Sequence, residues 1–394
     1  MSTKRRKVFL FLTIAGTFLA ALAIFRFSLE VPLWISSIIS VSLFTLLAVV
    51  TSRKPRKFAD GFEGKISVVI PAKNEESVIE RTVTSIEDSE YASFDIIILD
   101  DGSTDRTPEI TLELSKRYEN VKVIRVPEEE PVHGKAAGLN RAVEMADGDV
   151  ILVIDADVVI GSDYLSKASK PFSDTKIGFV QTGIRSYDRE RFVPSVCDSD
   201  FVVTNILMEY LLKPRSFGRG ILIRKETFQR ILPLNENSIS DDRQTSIKLD
   251  ELKIDGVFNP TISCSESSPE TMKALWLQRK RWFLGDLVET LRASTLNFVL
   301  YVFVIFLADL SISSLLFRPL SFPGSITVSL LLSLLWAISV HSRIFGVEKI
   351  FSVWIGVIVS YFIDLVSLNV CVFIASGRFD KKIEWYKTPR RRKE

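Results

Sequence analysis

Apolar positions fall into two regimes along this chain. At both ends they form long uncharged runs, and between those ends they come in short clusters set apart by polar turns. Residues 8–25 and 31–50 are each uncharged and mostly apolar. At ~1.5 Å per residue either run can cross the ~30 Å hydrocarbon core of a bilayer. Three further runs, roughly 296–317, 325–340 and 350–376, follow the central stretch, with Asp309 and Asp364 inside the first and third. An ionisable residue in a membrane helix faces a bundle interior or a polar path, so each reads either as a helix–helix contact or as part of such a path. Lys4 to Lys7 before residue 8 would also suit a cleaved signal peptide, but a second run follows within a few residues. That favours a hairpin of two retained helices. Basic residues flank the hairpin on the outside of both runs, at Lys4–Lys7 and at Arg53, Lys54, Arg56 and Lys57. The positive-inside rule then places the N-terminus and the central stretch in the cytoplasm. Three C-terminal crossings would strand the basic tail (Lys381, Lys382, Arg390–Lys393) on the far side. An even number is therefore expected, with the short middle run as the exception.

The central stretch alternates strand-like and helix-like segments. Lys65–Pro71, Asp95–Leu99, Val121–Val126 and Asp149–Ile154 are short apolar runs rich in β-branched residues, predicted as buried strands. Helical segments are expected up to about Asp88, from Thr107-Pro108 onward, and over 135–145. This alternation predicts an α/β domain with a mainly parallel sheet covered on both faces. In such sheets ligands bind at the carboxyl ends of the strands, where Asp100, Asp101, Asp155 and Asp157 fall.

Composition narrows the chemistry. Fifty basic residues against 48 acidic ones leave a net charge of only +2, so no nucleic-acid partner is expected. Two histidines leave little room for a histidine metal site or a serine–histidine triad, and the three cysteines have no metal-binding or disulfide spacing.

The carboxylates carry the argument instead. Asp155-Ala156-Asp157 sets two acids two residues apart at a strand end, suited to Mg²⁺ or Mn²⁺, which take carboxylate and phosphate oxygens. Asp100 and Asp101 could serve a ligand or simply shape a turn, and Asp105 reads as a cap. Ser240-Asp241-Asp242 offers a general base if it reaches the same cleft, and otherwise caps a helix. A helix is predicted from about Pro269 to Leu291, and its Gln278-Arg279-Lys280-Arg281-Trp282 run suits a bilayer interface. The sharper reading puts Arg281 on a phosphate and Trp282 against a sugar or acceptor.

In order, VVIPAKNEE (68–76), LDDGSTD (99–105), HGKAAGLN (133–140), DAD (155–157), GRGILIRKE (218–226), SDD (240–242) and QRKRW (278–282) resemble the inverting glycosyltransferase family of cellulose, chitin, hyaluronan and poly-N-acetylglucosamine synthases. The resemblance covers roughly residues 64–290. It implies a Rossmann-like GT-A domain flanked by transmembrane helices, a nucleotide-sugar donor (expected to be a UDP-sugar), a glycan or lipid acceptor and a Mg²⁺ or Mn²⁺ cofactor. It would place Pro71, Ala72, Asn74 and Glu75 in the nucleotide pocket, with Asp100 or Asp101 near the base or ribose and Lys135 near the nucleotide-sugar. It would put Asp155 and Asp157 at the metal and diphosphate, and Gly218, Arg219 and Gly220 beside the acceptor. Asp242 would be the base, with Asp241 beside it. Gln278, Arg281 and Trp282 would close over the diphosphate and acceptor. One departure is Ser-Asp-Asp where the processive synthases usually carry Thr-Glu-Asp; another is a C-terminal block small for a polymer channel. The tail Trp385–Arg390 resembles a Trp-x-x-Thr-x-Arg feature of the same family.

The expected organisation is a membrane hairpin (1–57), a cytoplasmic GT-A domain (58–268), an interfacial helix (269–293) and a C-terminal membrane region with its tail (294–394), in a multi-pass protein of the cell membrane. The leading expectation is extension of a β-linked polysaccharide. The second is transfer of one sugar to a membrane lipid, and the third a non-catalytic scaffold. A partner subunit is left open.

Overall fold

The computed structural model describes residues 33–59, 61–126, 134–214, 219–236, 240–293 and 322–377. The runs 8–25 and 296–317, His133, Gly218 and the basic tail lie outside the described residues. The described chain forms two compact units: residues 54–275 with 343–357, and residues 33–53, 276–293, 322–342 and 358–377.

The larger unit is built on an eight-stranded sheet. Its strands are β1 (Ile66–Ala72), β2 (Phe94–Asp101), β3 (Val121–Val126), β4 (Val150–Val153), β5 (Val158–Val159), β6 (Phe179–Ser186), β7 (Ile221–Arg224) and β8 (Gly256–Glu266). Their spatial order is β3-β2-β1-β4-β7-β6-β8-β5. The first four strands are mutually parallel and are joined by the helices Ile79–Glu87, Thr107–Arg117 and Lys135–Met145. Their apolar runs are continuous because both faces are covered: Val69, Ile97, Leu99, Ile151 and Val153 pack with Leu139, Ala142 and Val143 of the third helix. Each fully buried side chain of this kind contributes about 1.5–3 kcal/mol.

The expectation of a mainly parallel sheet holds only for this half. β7 runs antiparallel to both β4 and β6, and β5 antiparallel to β8, while β6 and β8 are parallel. The sheet is mixed because strict strand–helix alternation ends at β4. β5 follows β4 after a turn, and the helix Phe192–Tyr210 then returns the chain between β6 and β7.

In the smaller unit, the helices Leu33–Thr51 and Phe322–Val340 pack side by side. The Ser36 and Ser325 hydroxyls share a hydrogen bond, Ser329 Oγ donates to the Ser40 carbonyl at 2.9 Å, and Trp336 Nε1 donates to Ser52 Oγ at 3.1 Å. Small hydroxyl side chains suit such close apolar packing. The helix Met272–Ala293 meets the last helix, Ile350–Gly377, through an Arg279–Asp364 ion pair of 3.3 Å and a Cys371 thiol 3.2 Å from the Lys280 carbonyl. Asp364 thus makes a helix–helix contact. Among the described residues, Trp34–Thr51 and Ile350–Leu368 are long and apolar enough to cross a membrane, and Gly324–Val340 is shorter.

Candidate active site

The parallel half of the sheet fixes where a ligand can sit. β1 is central; the chain builds outward through β2 to β3, then crosses to β4 on the other side of β1. The carboxyl ends of β1 and β4 therefore flank a topological switch point, the crevice in which such sheets bind ligands.

The turn after β1 is pinned to the turn after β2. Pro71 and Ala72 lie in register with Leu99 and Asp100. Asn74 is in the left-handed region, at φ 55°, which Asn tolerates better than most side chains. Its amide donates to Ser103 Oγ at 2.9 Å, and its Oδ1 accepts from the Thr104 amide at 2.8 Å. The amide of buried Glu75 donates to Thr107 Oγ1 at 2.7 Å. Asp100 is fully buried, accepts from the Ser103 amide at 3.1 Å and lies 3.7 Å from Arg125 Nε. Asp101 Oδ2 accepts from the Gly134 amide at 3.0 Å and lies 3.5 Å from Lys73 Nζ. Asp105 accepts from the Thr107 amide and hydroxyl at 2.9 and 2.6 Å, shaping the turn one residue ahead of Arg106, which is the helix N-cap in its place.

Across the crevice an ionic cluster forms from five separate parts of the chain. Lys135 opens the helix after β3 and donates to Asp155 Oδ1 at 2.8 Å, with Asp242 Oδ1 3.8 Å away. Arg219 Nε lies 3.8 Å from the other Asp155 oxygen and is ion-paired with Glu266, the last residue of β8. Asp157 is buried beside them. Burial disfavours the Lys135 ammonium, but Asp155, then Asp242 and Asp241, outweigh it and lift its pKa above the usual lysine value. Burial likewise opposes the charge of Arg219. Glu266, Asp155, Asp242 and Asp157 reverse that effect and raise its pKa. One guanidinium thus feels four carboxylates, and the site is acidic overall. Residues 240–242 cap a helix and also reach the cluster. Ser240 caps the helix Asp241–Glu251 by accepting from the Arg243 amide, and Asp242 in the first turn still reaches Lys135.

The backbone at Arg219 and Gly220 is hydrogen-bonded to side chains of β6. Gln181 Nε2 donates to the Arg219 carbonyl at 2.7 Å, and Thr182 Oγ1 donates to the Gly220 carbonyl at 3.1 Å. Gly220 itself has φ +67°, and an added Cβ there would meet Thr182 Oγ1 at 2.4 Å and the Tyr164 hydroxyl at 2.5 Å.

Gln278, Arg281 and Trp282 belong to the smaller unit. There Arg279 stacks over the Trp282 ring at 4.7 Å, a pairing the motif did not suggest. Glu266 was missed in the sequence, because Thr261–Glu266 alternates Thr and Ser with Ile262 and Cys264 and lacks the continuous apolar run that singled out Asp100 and Asp155. Asp155 and Asp157 supply the hard oxygen donors that Mg²⁺ or Mn²⁺ accepts. Among the described residues no group of three or more His, Cys, Asp or Glu side chains is arranged to hold an ion. The protein's share of the coordination would be these two carboxylates, with water and ligand oxygens completing it.

Comparison with known proteins agrees with this architecture. The family model Glycosyl transferase family group 2 matches residues 150–369, and Glycosyl transferase family 2 matches residues 67–232. A beta-monoglucosyldiacylglycerol synthase of Nostoc is 30% identical over 267 residues, 63% of this chain and 56% of that protein. A poly-beta-1,6-N-acetyl-D-glucosamine synthase of Staphylococcus epidermidis is 25% identical over 254 residues, 60% of each chain. The chain thus spans little more than half the length of these curated relatives. Among solved structures, a mannosyltransferase from Pyrobaculum calidifontis in complex with GDP-Man and Mn²⁺ superposes with a TM-score of 0.55. That match covers 89% of this chain and all of the other at 17% identity, a likeness of fold.

Proposed function

The chain belongs to glycosyl transferase family group 2, and from that premise we propose that it transfers a sugar from a nucleotide-activated donor to a lipid acceptor at a membrane surface. The observation that carries this reading is the convergence of Lys135, Asp155, Arg219 and Asp242 at the carboxyl end of the sheet. Two half-buried cations among acids suit a ligand that brings negative charge and releases more of it as a diphosphate.

In the proposed reaction, Asp242 accepts the proton of the acceptor hydroxyl. The acceptor oxygen attacks the anomeric carbon in line as the bond to the diphosphate breaks, so an α-linked donor gives a β-linked product. Lys135 and Arg219 offset the charge that develops on the leaving nucleoside diphosphate. A divalent cation held by Asp155 and Asp157 would add Lewis-acid stabilisation of that leaving group. The pinned turns at 73–76 and 100–107 form one wall of the donor site, with Asn74, Glu75, Asp100 and Asp101 toward the nucleoside. The roles of Gln278, Arg281 and Trp282 at the diphosphate and acceptor rest on their motif.

The relative matched at 30% identity makes a glycolipid, and this favours lipid over polymer as acceptor. The polymer reading is supported by the synthase matched at 25% and by the Gln278–Trp282 signature. The apolar helices Trp34–Thr51 and Ile350–Leu368 support a membrane location, and the basic residues Arg53, Lys54, Arg56 and Lys57 support a catalytic unit on the cytoplasmic side.

The test is nucleotide release from a panel of UDP- and GDP-sugars by the full chain in nanodiscs, with Mn²⁺, Mg²⁺ or chelator and lipid acceptors. Metal-dependent release from one donor is expected. Asp242→Asn should lower it by about 10²–10⁴-fold while donor binding persists. A product that migrates on a thin-layer plate supports the lipid acceptor, and one held at the origin supports the polymer. No release from any donor in the presence of lipid acceptors would overturn the proposal.

A further inference from the structure

Glu266 is 2% exposed, and its backbone is fixed on both sides, opposite Val158 of β5 and Ser186 of β6. Its side chain takes the Arg219 guanidinium, whose Nε also lies 3.8 Å from Asp155 Oδ2. The other oxygen of Asp155 already accepts from Lys135. Asp155 therefore stands between two cations, one in direct contact and one held off by a competing carboxylate.

We propose that Glu266 is a positioning residue that restrains Arg219, so that Asp155 keeps enough negative charge to bind a divalent cation beside a nucleoside diphosphate. A guanidinium only 16% exposed that loses its principal counter-ion is drawn to another carboxylate, because a poorly solvated charge left uncompensated is strongly destabilising. The nearest carboxylate on the far side is Asp155. Without Glu266, Arg219 closes on Asp155 and both of its oxygens become engaged by cations, in competition with a metal ion. Glu266 itself touches neither donor nor metal; it acts through Arg219.

This inference rests on the proposed donor site, and its test is a Mn²⁺ titration followed by electron paramagnetic resonance, with UDP or GDP present and no acceptor, so that no turnover is read. Four proteins are compared: wild type, Glu266→Gln, Arg219→Gln and the double variant. Groups that orient metal ligands typically change affinity by about 10–100-fold when removed. Glu266→Gln is expected to weaken Mn²⁺ binding by about 10-fold or more. At saturating nucleotide, Arg219→Gln should bind Mn²⁺ at least as tightly as wild type, because the competing cation is gone. The double variant should recover to within about 3-fold of wild type, a non-additive rescue that an architectural role would not give. Thermal unfolding of each variant checks that it is folded, and the double variant keeps the test decisive if Glu266→Gln alone is unstable. Equal Mn²⁺ affinity in wild type and Glu266→Gln, or no rescue by the second substitution, overturns the positioning role and leaves the donor site intact. Wild type that binds no Mn²⁺ with either nucleotide overturns both.

Discussion

Lys135 and Asp155 form an ion pair of 2.8 Å that ties the helix after β3 to the turn after β4. The same ammonium lies 3.8 Å from Asp242, so a single cation separates two carboxylates with different proposed tasks. Lys135→Met removes that separation and a cation at the proposed diphosphate. The expected outcome is a loss of about 10²–10³-fold in kcat/KM, the usual scale for one charge-stabilising donor. Steady-state nucleotide release on the donor identified by the panel measures it.

Gly220→Ala forces a side chain into a left-handed backbone and against Thr182 and Tyr164. Strain and overpacking together should cost about 2–5 kcal/mol. Relief of the clash would move Arg219, so the donor KM should rise as well. Thermal unfolding and donor titration read the two effects separately.

Asp198 accepts from Arg185 Nε at 2.8 Å and from Nη2 at 2.5 Å, and both side chains are almost fully buried. Asp198→Ala leaves the guanidinium without its carboxylate. The expected loss is about 3–5 kcal/mol, seen as a lowered midpoint in denaturant unfolding.

Burial, reinforced by Glu266, pushes the Cys264 thiol from the usual value up to about 12. The folded protein therefore holds the proton more tightly than the unfolded chain. Above the unfolded pKa, near 9, only the unfolded state ionises, so this residue's contribution to stability is present below pH 9 and is lost between pH 9 and about 12. Cys264→Ala should flatten that part of the melting temperature against pH curve. The native thiol should also resist alkylation at pH 8, which mass spectrometry checks.

Much of the parallel half was legible because its strands are uninterrupted β-branched runs. Val121–Val126 and Lys135–Met145 match the expected spans residue for residue, and Ile66–Ala72 and Phe94–Asp101 differ only at their ends. The antiparallel half was not legible. β5 has two residues and β7 four, too few to show a period, and their direction is set by partners distant in the chain. Strand-end acids are likewise local signals, which is why Asp100, Asp101, Asp155 and Asp157 were found. The pairing of Arg219 with Glu266 depends on β8 lying beside β5 and β6, a tertiary fact with no local trace.

The sheet-bearing unit is not continuous in sequence. Residues 343–357 belong to it, and they are fastened by Arg189 to Glu348 at 2.7 Å, by Lys349 to Glu190 at 2.6 Å, and by Arg185 to the carbonyls of Phe345 and Gly346. A water-soluble fragment cut after β8 would discard these partners and bare the Arg185 side of β6 to solvent. Fragment design for ligand screening would have to graft 343–357 back onto 54–275, much as a circular permutation rejoins what the chain order separates.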